Sequence, residues 1–139
     1  MLGRPKSMST HAKGIFELES WQEDAYLELE GDAKLTRASV AQRFIGDLDG
    51  EGSVEWLMCY ADDGTARFVG LQRFSGRLGG KSGSFVLETL GTFDGGEAKG
   101  TWSVVPRSGT DELRGITGTG RFAAPRGPKA SVELDYDFE

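Results

Sequence analysis

The chain has 139 residues, 37% of them hydrophobic, with a formal net charge of −6 and 21 glycines against 4 prolines. That is enough for one domain with one core, and the glycines follow no fixed period, which excludes a collagen-like chain. Arg37, Arg43, Arg67, Arg73 and Arg121 are dispersed among acids, so no basic face is expected to take nucleic acid or an anionic membrane as primary partner.

The single cysteine, Cys59, and single histidine, His11, leave no intrachain disulfide and no Cys/His zinc site. No metal or other cofactor is expected, and the cysteine usage fits a reducing cytoplasm. Residues 1–12, "MLGRPKSMSTHA", are charged and lack an apolar core. They read as a mobile tail rather than a signal peptide or anchor, with Met1 or Met8 as the native start. The domain proper is expected over 13–139.

From Gly14 onward, short runs of β-branched and aromatic residues alternate with polar ones between Gly/Asp clusters. This pattern predicts strands over 14–21, 35–46, 52–61, 65–78, 81–94, 97–106, 117–124 and 130–138. The acidic segment 22–34 reads as a long connection with a short extended piece near Tyr26–Glu30. "SGTDELRG" at 108–115 holds one helical turn, with Ser108 or Thr110 as N-cap.

The turns predict the register. "DLDG" (47–50) and "ADDG" (61–64) suit three-residue loops closed by a left-handed Gly, whereas the Gly pairs 79–80 and 95–96 suit two-residue type I′ turns. Counting outward from 61–64 pairs Met58 with Phe68, Trp56 with Gly70 and Val54 with Gln72. The 79–80 turn pairs Phe74 with Phe85, Gln72 with Leu87, Gly70 with Thr89 and Phe68 with Gly91. The 95–96 turn pairs Phe93 with Ala98 and Thr89 with Trp102, and the 47–50 turn pairs Phe44 with Val54 and Gln42 with Trp56.

One face then collects Val40, Gln42, Phe44, Val54, Trp56, Met58, Tyr60, Phe68, Gln72, Phe74, Phe85, Leu87, Thr89, Phe93, Trp102 and Val104. Alternation adds Phe16, Leu18, Phe122, Val132, Leu134, Tyr136 and Phe138, and no residue on this face is charged. Eight strands with one apolar face predict a closed antiparallel meander barrel, with a two-sheet sandwich as the structural alternative. Gly70 and Gly91 leave inward room for Trp56 and Phe68. On the other face Leu57, Val69, Leu71, Val86 and Leu90 form a contiguous apolar patch. It is read either as a homo-oligomer contact or as a surface covered by 22–34.

These residues also resemble a family. "KLTRASV", "GEGSVEWLMCYADDGTARFVGLQRFSGRLGGKSGSFVLETLGTF", "GTWSVVPRSGTDELRGITGTGRF" and "LDYDFE" resemble the bacterial domain of unknown function 3224. The resemblance runs from Lys13 to Glu139. It implies an eight-stranded barrel like that of allene oxide cyclase, within the broad lipocalin-like (calycin-like) shape class, and no established activity. Members often carry a His where this chain has Thr89, and often a Gly where it has Asp111, so no His-based mechanism carries over.

Candidate sites follow from the inward face. His11 lies in the expected tail, and Cys59 points outward without a His partner. Glu55, Arg73 and Glu88 alternate outward and read as a solvated charge group. "GRLGGKSG" is a hairpin turn rather than a phosphate loop, because no helix follows it, and "DLDGEG" lacks the spacing of a calcium loop. No catalytic or metal-binding residue is expected.

The ligand-binding candidates are Gln42, Trp56, Met58, Tyr60, Gln72, Thr89, Trp102 and Tyr136, an aromatic lining with a few neutral hydrogen-bonding groups. The leading expectation is a cytoplasmic barrel that binds a small apolar or neutral ligand. One alternative is an isomerase or cyclase acting by positioning; another is an interaction module with a filled core.

Overall fold

In the computed structural model, which describes residues 9–125 and 129–139, eight antiparallel strands close into one barrel. They are β1 (Thr10–Glu28), β2 (Lys34–Gly46), β3 (Leu48–Tyr60), β4 (Ala66–Leu78), β5 (Lys81–Phe93), β6 (Ala98–Val104), β7 (Ile116–Ala124) and β8 (Lys129–Phe138). Each pairs with its sequence neighbour, and β1 pairs with β8 to close the ring. Closure displaces the sandwich alternative and removes every unpaired sheet edge.

Three of the four turns set the register as read from sequence. Met58 faces Phe68, Gln72 faces Leu87 and Thr89 faces Trp102. Gly79 and Gly80 both take positive φ, at 57° and 85°, as a type I′ turn requires. At the other Gly pair only Gly95 is left-handed, so that loop is of the II′ kind rather than I′. The Asp94 carboxylate holds it by accepting from the Gly96 and Glu97 N–H groups.

The fourth turn differs. β3 begins at Leu48, so Phe44 faces Gly50, Gln42 faces Gly52 and Val40 faces Val54. The chain reverses at Gly46–Asp47 because a third strand holds the corner: the Asp47 N–H donates to the Lys13 carbonyl and its carboxylate accepts from the Lys13 N–H. Gly52 belongs inside β3, where a Cβ would lie 2.6 Å from the Phe44 ring and 2.7 Å from Gln42 Oε1. The shift is even, so every side chain keeps its expected face.

The largest departure is β1. Segment 22–34 is not a connection; its first part continues β1 to Glu28, paired with β2, and a short turn follows. The strand also begins earlier than expected, and Thr10, His11 and Ala12 pair with β8. Residues 1–8 of the expected tail lie outside the described residues. His11 therefore sits on the barrel wall, its Nδ1 2.6 Å from Asp135 and its Nε2 3.1 Å from Glu133. β1 carries register shifts between Leu18 and Ser20 and between Ala25 and Leu27. Past the first shift, Trp21 faces Val40, Glu23 faces Ala38 and Ala25 faces Thr36. The bulge thus swings an acidic residue onto the inward face.

The core is a continuous cluster filled mainly by aromatic rings. Phe122 is its hub, with ring centroids 5.8 Å from Phe16, 6.2 Å from Trp56, 6.3 Å from Phe68 and 5.8 Å from Trp102. Gly91 leaves the room Phe68 occupies, since a Cβ there would overlap the Phe68 ring.

Segment 105–115 caps one end. Its 3-10 turn, Asp111–Leu113 with Thr110 as N-cap, lies where one helical turn was expected. Ser108 and Thr110 side chains accept from the Val86 and Ser84 N–H groups, and Glu112 accepts from the Ser82 N–H. Leu113 plugs this end beside Leu48, Leu78 and Phe85, all fully buried. Among the described residues no helix is long and apolar enough to cross a membrane.

Candidate functional site

The opposite end carries the loops after β1, β3 and β5 and is not plugged. A cavity of about 350 Å³ opens there, lined by Phe16, Leu18, Trp21, Trp56, Met58, Tyr60, Phe68, Phe93, Ala98 and Phe122. Its wall is aromatic because inward positions of four strands meet at this level. Trp56 packs 5.7 Å from Trp21, 5.2 Å from Phe68 and near-parallel to Phe122. A second recess of about 420 Å³ adjoins it, lined by Glu23, Ala25, Asp32, Lys34, Thr36, Tyr60 and Asp62. Tyr60 is the wall common to both.

Glu23 ties this mouth together. One carboxylate oxygen accepts from Thr36 Oγ1 at 2.6 Å and Tyr60 Oη at 2.8 Å, and the other accepts from Trp21 Nε1 at 3.1 Å. Three neighbouring strands thereby donate to one carboxylate. Burial, followed by the bond to Glu23 and its charge, holds the Tyr60 hydroxyl above the usual phenol range. Lys34 Nζ sits 5.4 Å above the Tyr60 ring.

The eight sequence candidates do not form one site. Trp56, Met58 and Tyr60 line the mouth. Gln42, Gln72, Thr89 and Trp102 are buried in the filled middle. Tyr136 lies toward the capped end, against Gly79, with its hydroxyl raised by burial and by the Asp47 charge. The Gln42–Gln72 contact expected of buried amides is present: Gln72 Nε2 donates to Gln42 Oε1 at 2.5 Å. Gln42 Nε2, Gln72 Oε1, Thr89 Oγ1, Trp56 Nε1 and Trp102 Nε1 have no hydrogen-bond partner among the described residues. A buried polar group left in that state costs about 1–3 kcal/mol. Trp56 is the one of these five that also lines the cavity.

Sequence reasoning missed Glu23, Trp21 and Thr36. It also held that the inward face carries no charge, which Glu23 overturns. Only the bulge after Leu18 puts Glu23 there, and alternation from Phe16 and Leu18 points it outward. A signal was present: "WQEDAYLE" keeps Trp21, Glu23 and Ala25 on one period-2 face. Among the described residues no cluster of His, Cys, Asp or Glu could hold a metal ion.

Fold and mouth together define a small closed antiparallel β-barrel, plugged at one end and hollow at the other. The chain belongs to the family described as protein of unknown function DUF3224, whose model matches residues 12–136. It is similar to the crystal structure of a protein with unknown function from the same family, from Shewanella oneidensis MR-1. The two share 28% identity with a TM-score of 0.80, over 94% of this chain and 98% of that one. No curated protein matches.

Proposed function

We propose that this barrel binds a small, neutral, largely apolar ligand, aromatic or polycyclic in character, in its open end. The observation that carries the reading is Trp56: it lines an aromatic cavity of about 350 Å³ and holds a buried indole N–H with no partner. That volume falls at the lower end of small-molecule sites, which pair apolar walls with a few placed polar groups. Such a ligand stacks between Trp56, Trp21 and Phe68 and offers a carbonyl or ether oxygen to Trp56 Nε1.

Charge argues for neutrality. Glu23 stands beside the entrance of a chain with net charge −6, so a fatty-acid carboxylate meets repulsion there. The single cysteine, which is exposed and unpaired, fits work in a reducing cytoplasm. An isomerase or cyclase reading gains little from Glu23, because a carboxylate already accepting three hydrogen bonds is a weak base.

Native mass spectrometry of freshly purified protein tests the proposal, together with titration by the neutral dye Nile red. A retained adduct or saturable dye binding is expected. A bare mass with no dye binding contradicts it.

A further inference from the structure

The outward face of β3–β6 is ordered in rows, because residues paired across strands share a line across the sheet. The central row is Leu57, Val69 and Leu90. Two residues along the strands to one side lies an acidic row, Glu55, Leu71 and Glu88. Two residues to the other side lies a basic row, with Arg67 on β4 and Lys99 on β6. Leu57, Val69, Leu71 and Leu90 are 48%, 46%, 57% and 64% exposed.

The extended β1 does not cover this patch; only Tyr26 reaches the rim of the shallow groove that crosses it. Val86, expected to belong to it, is half-buried and bonded to the 105–108 segment. Glu55 pairs with Arg37 at 2.8 Å and Lys99 with Glu97 at 3.3 Å. Neither Glu88 nor Arg67 has an ion-pair partner among the described residues.

We infer that this face is the interface of a homodimer whose two-fold axis runs along the Leu57–Val69–Leu90 row. A half-turn about that line keeps the strand order and reverses the strand direction. The apolar row of one copy meets the same row of the other, and each acidic row lies over a basic row. Arg67 then falls over the partner's Leu71, flanked about 5 Å to either side by the partner's Glu55 and the partner's Glu88. A patch that is its own complement under one half-turn is what an isologous contact requires. An axis along the strands instead leaves acid over acid. Two chains each carrying −6 repel at long range, so local acid-on-base matching is what makes self-association favourable. Antiparallel stacking of the two β4 strands also suits aligned sheet packing.

Sedimentation equilibrium on the full chain tests this. The wild type is expected to be a dimer, and Val69→Lys a folded monomer by circular dichroism. Arg67→Glu and Glu88→Arg are each expected to weaken the dimer about tenfold or more, with the double variant recovering most of the loss. Because both positions are outward, the reversal and its rescue are read without disturbing the core. A monomeric wild type overturns the proposal. So does a dimer that Val69→Lys leaves intact, or a double variant no tighter than the single ones. Dye binding in the barrel mouth is unaffected by any of these substitutions, so this inference and the ligand reading fail separately.

Discussion

The two ends of the barrel solve opposite problems with the same strands. At one end, segment 105–115 plugs the opening with Leu113 and satisfies β5 through Ser108, Thr110 and Glu112. At the other, the strands run on past the core, and aromatic rings surround about 350 Å³ of open space. The polar groups differ in the same way. Those of the plugged end bond backbone N–H groups left free where β6 stops. Those of the mouth bond one another through Glu23, and Trp56 keeps a donor in reserve. One end is built for stability and the other for contact with something small.

Substitutions at each end can break this contrast. Leu113→Ala removes the plug and is expected to cost about 3 kcal/mol, seen as a lower midpoint in urea unfolding. Gly91→Ala pushes a methyl into the Phe68 ring, and overpacking of this kind costs about 1–3 kcal/mol. It also narrows the mouth, so dye binding falls along with stability; an unchanged affinity would separate Phe68 from the site. Trp56→Phe keeps an aromatic wall and deletes the free N–H. It is expected to weaken Nile red binding about fivefold to tenfold, the worth of one hydrogen bond.

The smallest effect is a pH dependence. The Tyr60 and Tyr136 hydroxyls are both held above their ordinary value in the folded state. Each adds stability that is fully present below the unfolded phenol value of about 10 and is lost as pH rises toward the folded one. Thermal unfolding should therefore fall above about pH 10, and less steeply in Tyr60→Phe. An equal slope in that variant would mean that the Glu23–Tyr60 bond does not persist in solution.

Most of the barrel was legible because its turns are local. Gly79–Gly80 encodes its own geometry, and counting outward placed Phe68 against Gly91 and Thr89 against Trp102. The exceptions are nonlocal. The corner at Asp47 is held by Lys13, a residue from another strand, and nothing in "DLDG" reveals that. The mouth was legible only in part, for the same reason. Trp56, Met58 and Tyr60 follow from alternation. Glu23 depends on a bulge that exists because β1 must coil around β2, and its four acidic neighbours made the segment look like solvent-exposed loop. Gln42, Gln72 and Thr89 were placed on the correct face, but a face does not reveal depth, and they lie below the cavity floor.

The most direct test of the contrast is a paired Nile red titration of Trp56→Phe at the mouth and Ser84→Ala at the plugged end, where Ser84 bonds Thr110. The first is expected to lose affinity with the barrel intact. The second is expected to lose about 1 kcal/mol of stability with affinity unchanged. Equal affinities in the two variants, or a loss confined to Ser84→Ala, would contradict the account.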